Sequence, residues 1–164
     1  MPAAARLRSE CSIKSCFEAK GKRIPKAKAA EFIRERFDPT RDPNADLAVA
    51  VEKASVSGSN IILDLGGEWC IWCVHMDKFF FEHPELAKLR DENFVWVKVN
   101  FSPENENRAF LSIYPPAAGY PHLYVLESEG KLLHSQDTAL LEYKSTYDLE
   151  KFTEFLIKWS PAKK

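Results

Sequence analysis

The sequence predicts an α/β fold, a central mixed β-sheet with helices on both faces, on two observations. Segments of helical apolar period alternate with short runs rich in strand formers in the order α-β-α-β-α-β-β-α. A pair of cysteines two residues apart sits where the first of those runs gives way to a helix, in Trp69-Cys70-Ile71-Trp72-Cys73. With 164 residues, 45% of them hydrophobic, the chain suffices for one ordinary domain and an extension.

The extension comes first. Residues 1–36 hold ten Lys or Arg against four Glu, so an arm of six net positive charges precedes a remainder at −7, within a whole-chain net charge of −1. A basic arm of this kind is ordinarily solvated, and specific nucleic-acid binding is not expected of it. Ala29, Phe32, Ile33 and Phe37 recur at helical spacing, which predicts a short helix over residues 25–37. Asp38-Pro39-Thr40-Arg41-Asp42-Pro43-Asn44 is dense in turn formers and reads as a linker. The expected division is therefore an extension over 1–44 and a domain over 45–160.

Within that domain, Leu47, Val49, Ala50, Val51 and Ala54 suit a helix ending near Ser57-Gly58, and Asn60–Leu65 reads as a strand buried on both faces. The segment after Cys70 carries Met76, Phe79, Phe80 and Phe81, breaks at His83-Pro84 and resumes as helix over Glu85–Arg90. Phe94–Phe101 is the second strand, and Glu104–Tyr114 has a helical face through Phe110, Leu111 and Tyr114. His122–Leu126 and Lys131–Ser135 flank Glu127-Ser128-Glu129-Gly130 as an antiparallel hairpin. Leu149, Phe152, Phe155, Leu156 and Trp159 form a closing helix. No apolar stretch approaches the ~20 residues that a membrane span needs.

Two thiols at a strand-to-helix junction suggest redox chemistry. The unpaired N–H groups of a helix N-terminus favour thiolate over thiol, and the three-residue spacing lets the second sulfur reach the first. Cys70 is thus expected to attack and Cys73 to resolve. Asp64, six residues before Cys70 inside an apolar strand, is a candidate proton acceptor, because burial disfavours a charged carboxylate. Trp69 and Trp72 flank the thiols, where aromatic rings can form an apolar rim for extended partners.

Asp64, Glu68, Trp69, Cys70 and Cys73 fall at the spacings of the active-site signature of the thioredoxin superfamily, which the chain resembles over about residues 45–160. Lys98 resembles the lysine that this family places on the neighbouring strand beside the buried Asp. Gly119-Tyr120-Pro121 before His122–Leu126 looks like its cis-proline loop, which would set Pro121 opposite the sulfurs and Tyr120 against substrate. The resemblance implies the thioredoxin fold and dithiol–disulfide exchange with protein disulfides and an external redox partner, without a bound cofactor. The Trp-Cys-X-Trp-Cys centre is similar to that of small bacterial thioredoxin-like reductases or isomerases. Ile71-Trp72 departs from the Gly-Pro pair common in thioredoxins, so no redox potential carries over.

Two alternatives accompany this reading. One is a non-catalytic binding module that holds a client in the groove around Tyr120 and Pro121. The other is a metal site assembled from Cys70, Cys73, His75, Cys11 and Cys16, against which His75 would point away from the sulfurs. A monomer is expected. The first residues lack the apolar core of a secretory signal, so the chain as written is expected in the cytoplasm, or in the periplasm or otherwise exported if the true start or a signal sequence is missing.

Overall fold

The computed structural model describes residues 30–162. The elements are α1 (Pro43–Ser57), β1 (Asn60–Gly66), α2 (Ile71–Glu82), α3 (Pro84–Asn93), β2 (Phe94–Asn100), α4 (Arg108–Leu111), β3 (His122–Leu126), β4 (Leu132–Asp137), a 3-10 turn (Thr138–Leu141), β5 (Glu142–Tyr143), β6 (Thr146–Tyr147) and α5 (Leu149–Trp159). Four strands form one sheet in the order β2-β1-β3-β4, with β1 parallel to β2 and antiparallel to β3, and β3 antiparallel to β4. This is the predicted mixed sheet with helices on both faces, the thioredoxin fold. No described helix is long and apolar enough to cross a membrane.

Strand alternation divides the core. Ile61, Leu63 and Leu65 of β1 pack with Ala50 and Ala54 of α1 and Phe110 of α4. Ile62 faces the other way, with Met76, Phe79 and Phe80 of α2, Leu86 of α3 and Phe152, Phe155 and Leu156 of α5. Side chains two apart share a face of a strand, so Asp64 lies on the α2 side of the sheet with Ile62. The parallel register sets Asp64 opposite Lys98 and Ile62 opposite Trp96. Phe152 and Leu156 are fully buried, each such side chain contributing about 1.5–3 kcal/mol of burial.

Local signals explain most boundaries. The Asp42 carboxylate accepts the Asn44 N–H at the start of α1, and Gly58, at φ 72°, ends the helix in the left-handed region. Pro84 divides α2 from α3 as expected.

Two local expectations are corrected. The helix predicted over Glu104–Tyr114 shrinks to Arg108–Leu111, because asparagines draw the preceding backbone into a loop. Asn105 Oδ1 accepts the Asn107 N–H at 3.0 Å, Asn107 sits at φ 48°, and its side chain donates to the Asn100 carbonyl at 2.7 Å. The helix expected over 25–37 is absent from its described part, residues 30–37. There the Phe37 N–H donates to Glu68 Oε1 at 2.9 Å rather than to a helical carbonyl. The 3-10 turn and the β5–β6 hairpin were not anticipated. Residues 25–29, Cys11, Cys16 and most of the basic arm lie outside the described residues.

Candidate active site

Cys70 is the N-cap of α2: its backbone is extended (φ −88°, ψ 104°) and its sulfur accepts the Cys73 N–H at 3.1 Å. Cys73, one turn into the helix, is joined to it in a disulfide, with the two Cα atoms 5.3 Å apart. Both residues are almost fully buried, in a cluster with Phe37 against which Trp72 and Tyr120 pack. The β1–α2 connection passes close beneath them. A Cβ on Gly66 would run into Cys73 Sγ and meet Phe37 Cζ at 3.0 Å, so glycine is required there by space rather than by φ.

Three aromatic rings form the rim. Trp69 is half exposed, and its indole N–H donates to the Phe101 carbonyl at 2.7 Å. Tyr120 stacks on Phe101 at 5.0 Å and meets Trp69 edge-on at 5.3 Å. Trp72 lies edge-on to His75 at 5.1 Å and to Tyr147 at 5.6 Å. The Tyr120–Pro121 peptide bond is cis.

Two hydroxyls from the segment after β4 tie this architecture together. Thr138 Oγ1 donates to the Pro121 carbonyl at 2.5 Å, and the Tyr147 hydroxyl donates to the Trp72 carbonyl at 3.2 Å. One segment thereby holds both the cis-proline loop and the turn between the cysteines. Burial pushes the Tyr147 phenol far above its ordinary value, so its proton stays in place as a donor.

On the α2 side of the sheet lies a chain of alternating charges. Asp64 Oδ2 accepts Trp96 Nε1 at 3.1 Å and Lys98 Nζ at 3.2 Å, while Oδ1 is buried and accepts no hydrogen bond from the described residues. Lys98 also donates to Asp77 Oδ1 at 2.8 Å, Asp77 pairs with Arg34 at 3.2 Å, and Arg34 pairs with Glu68 at 2.5 Å. Burial works against the Lys98 ammonium, yet two carboxylates overcome it and hold the pKa above its ordinary value. Asp77 has to share that one ammonium with Asp64, and burial keeps its carboxyl above the ordinary carboxylate value. A cavity of about 450 Å³ beside Phe32 and Arg34 reaches Asp77 and Lys98.

The structure thus brings together Cys70, Cys73, Trp72 and Tyr120, packs Trp69 on Tyr120, holds the Tyr120–Pro121 bond cis, and sets Lys98 against Asp64. Among the described residues no group of three or more His, Cys, Asp or Glu is arranged to hold a metal ion, and His75 packs on Trp72. Sequence reasoning missed Arg34, Phe37, Asp77, Thr138 and Tyr147. Only Asp77 had a signal: it lies one helical turn after Cys73, on the same face of α2.

A family model described as thioredoxin-like matches residues 42–128, more than half of the chain. Among curated proteins, the thiol:disulfide interchange protein DsbD of Colwellia psychrerythraea is 27% identical over 95 residues, which are 57% of this chain and 16% of that protein. Among solved structures, a disulphide isomerase from Xylella fastidiosa aligns with a TM-score of 0.65 at 20% identity, over 77% of this chain and 97% of the other. The oxidised C-terminal domain of Neisseria meningitidis DsbD aligns at 0.54 and 23% identity, over 76% and 99%. These structures share the fold. The chain belongs to the thioredoxin-like family and carries a Cys-X-X-Cys pair, Cys70 and Cys73, at the head of α2.

Proposed function

We propose that the chain is a disulfide reductase or isomerase acting on protein disulfides, with residues 45–160 as the exchange domain. The observation that carries this reading is the Cys70–Cys73 disulfide at the head of α2, on the side of the sheet that also holds a buried Asp64 whose Oδ1 accepts no hydrogen bond from the described residues.

In the reduced protein the Cys70 thiolate attacks one sulfur of a partner disulfide. A mixed disulfide forms, and the other partner sulfur leaves as a thiolate that takes up a proton. The Cys73 thiol then gives its proton to Asp64 and attacks Cys70 Sγ. That step forms the disulfide seen here, releases the second partner thiolate and completes transfer of two electrons to the partner. Lys98, held between Asp64 and Asp77, balances the carboxylates as the proton arrives. Trp69, Trp72 and Tyr120 present the apolar rim, and the backbone at Pro121 pairs with an extended segment of the partner. Turnover as a reductase needs an external dithiol donor. Isomerase action needs Cys70 to stay reduced and reshuffle bonds.

The names of the DsbD relative and of the isomerase neighbour support this class of chemistry without choosing its direction. The test is trapping. Cys73→Ser should accumulate stable mixed disulfides with a model protein disulfide, and Cys70→Ser should accumulate few; equal trapping would overturn the roles. The potential of the pair, read by alkylation across redox buffers, assigns direction: a strongly reducing transition marks a reductase, a distinctly oxidising one an isomerase. A chain with no reversible transition would not be an oxidoreductase.

A further inference from the structure

Residues 32–41 carry more interactions than a linker requires. Phe37 is 3% exposed, and the buried residues it clusters with are the two cysteines. Its ring and Cys73 Sγ both crowd the face of Gly66 where a Cβ would stand, so ring and sulfur lie side by side. Lys98 Nζ stands 4.3 Å from the centre of the same ring.

The chain is fastened on both sides of Phe37. Before it, Phe32 packs on Phe81 at 5.2 Å, and Arg34 bridges Glu68 and Asp77. At Phe37 itself the N–H is taken by Glu68, two residues before Cys70. After it, the Pro39 carbonyl accepts Asn105 Nδ2 at 2.9 Å, and Arg41 pairs with Asp46 in the first turn of α1 at 2.5 Å. Ordering a backbone segment is opposed by about 1–2 kcal/mol per residue. A spacer has no need to meet that opposition with attachments on both sides of one buried ring.

We infer that this segment is a guard: Phe37 seals the Cys73 side of the redox pair, Arg34 latches the guard to Glu68 and Asp77, and thiol–disulfide exchange is thereby confined to Cys70. Both are positioning residues. The inference rests on the reading of Cys70 and Cys73 as an exchanging pair and adds how the two sulfurs, chemically alike, receive different access. A resolving thiol open to a second disulfide would form a dead-end adduct instead of closing on Cys70. An apolar ring against that sulfur shuts out both water and partner disulfides. The part of the chain matched to the family model begins at residue 42, after the guard.

The experiment is alkylation of the reduced, full-length protein with iodoacetamide, with each of the four cysteines quantified by peptide mass mapping. In the unaltered protein Cys73 should label at least about tenfold more slowly than Cys70. Phe37→Ala should raise Cys73 labelling by about tenfold and leave Cys70 within about threefold, while Phe37→Leu, which restores most of the apolar volume, should return the protection. Arg34→Gln keeps the ring and loosens the latch, so it should raise Cys73 labelling by a smaller factor, and it decides the matter if Phe37→Ala does not fold. Unchanged Cys73 labelling in folded Phe37→Ala or in Arg34→Gln overturns the inference, as does equal labelling of both sulfurs in the unaltered protein. Labelling is read without turnover. Failure of the exchange reaction and failure of the guard are therefore separate results.

Discussion

Residues 32–41 reach the redox pair through charges and one aromatic ring, whereas residues 138–147 reach it through two neutral hydroxyls that donate to backbone carbonyls. Both segments lie outside the part of the chain matched to the family, residues 42–128. The first depends on Glu68 and Asp77 being ionised, and its outer pair lies partly in solvent, where salt and pH act on it. The second lies largely buried, and its donors are neutral, a threonine hydroxyl and a phenol whose pKa burial raises far above its ordinary value. The difference teaches a division of labour: the hydroxyl clamp fixes the distance between the two loops that build the site, and the charged strap governs what reaches the sulfurs.

The comparison breaks most visibly at Tyr147. Its ring packs on Phe79 at 5.9 Å, Phe152 at 5.5 Å and Trp72 at 5.6 Å. Tyr147→Ala should therefore destabilise the protein by about 3–5 kcal/mol in denaturant unfolding. Tyr147→Phe keeps the ring and loses only the bond to Trp72, an expected change of about 1 kcal/mol. A loss under about 1 kcal/mol for the alanine variant would show that the clamp is no part of the core.

Next in size is Thr138→Val, which keeps the shape and removes the donor to the Pro121 carbonyl. A buried acceptor left without its donor should lower stability by about 1–3 kcal/mol. The rate of mixed-disulfide formation should fall with it, and Thr138→Ser should restore both. Stability that falls while the exchange rate holds would confine Thr138 to packing and remove it from the clamp.

The smallest effect sharpens the contrast through pH. Partial burial pushes the Glu68 carboxyl up, but hydrogen bonds from Arg34 and the Phe37 N–H, with the charges of Arg34 and Arg36, bring it below its ordinary value of 4.5. A carboxyl depressed in the folded state stabilises the latch above its unfolded pKa, and that contribution is lost as pH falls through the lower, folded one. Amide exchange at Phe37, corrected for intrinsic rates, should then lose protection in acid below the usual Glu range. The amides around Thr138 should keep theirs at the same pH. Parallel loss in both places would mean that the two segments open together, and the division of labour would fail.

Much of the site was legible because its chemistry is local in sequence. Asp64, Trp69, Cys70, Trp72 and Cys73 lie within ten residues across one strand-to-helix junction, so a strand period of two and a helix cap suffice to place them. Lys98 was legible only through the family resemblance, and the parallel register that sets it opposite Asp64 came from the structure. The long helix expected before Tyr114 failed because apolar periodicity does not register asparagine side chains that compete for the backbone. The helix expected over 25–37 failed similarly. Phe32, Ile33 and Phe37 have helical spacing, but Ile33 is exposed, and Phe32 and Phe37 are drawn to Phe81 and to the sulfurs, contacts made 49 and 33 or more residues away.

The sequence by itself determined the order of strands and helices, the two faces of the sheet and the pair of sulfurs at the head of α2, since each follows from the spacing of neighbouring residues and the geometry of one element. Only the tertiary structure decided what covers those sulfurs. Phe37 reaches them, and Tyr147 reaches the Trp72 carbonyl between them, from segments remote in the chain, and Arg34 acquires its role from carboxylates on two other parts of the fold. Such contacts have no period and no local spacing to betray them. They exist because packing brings distant groups into a space from which water has been removed, where one ring, one hydroxyl or one guanidinium has a large effect on its neighbours.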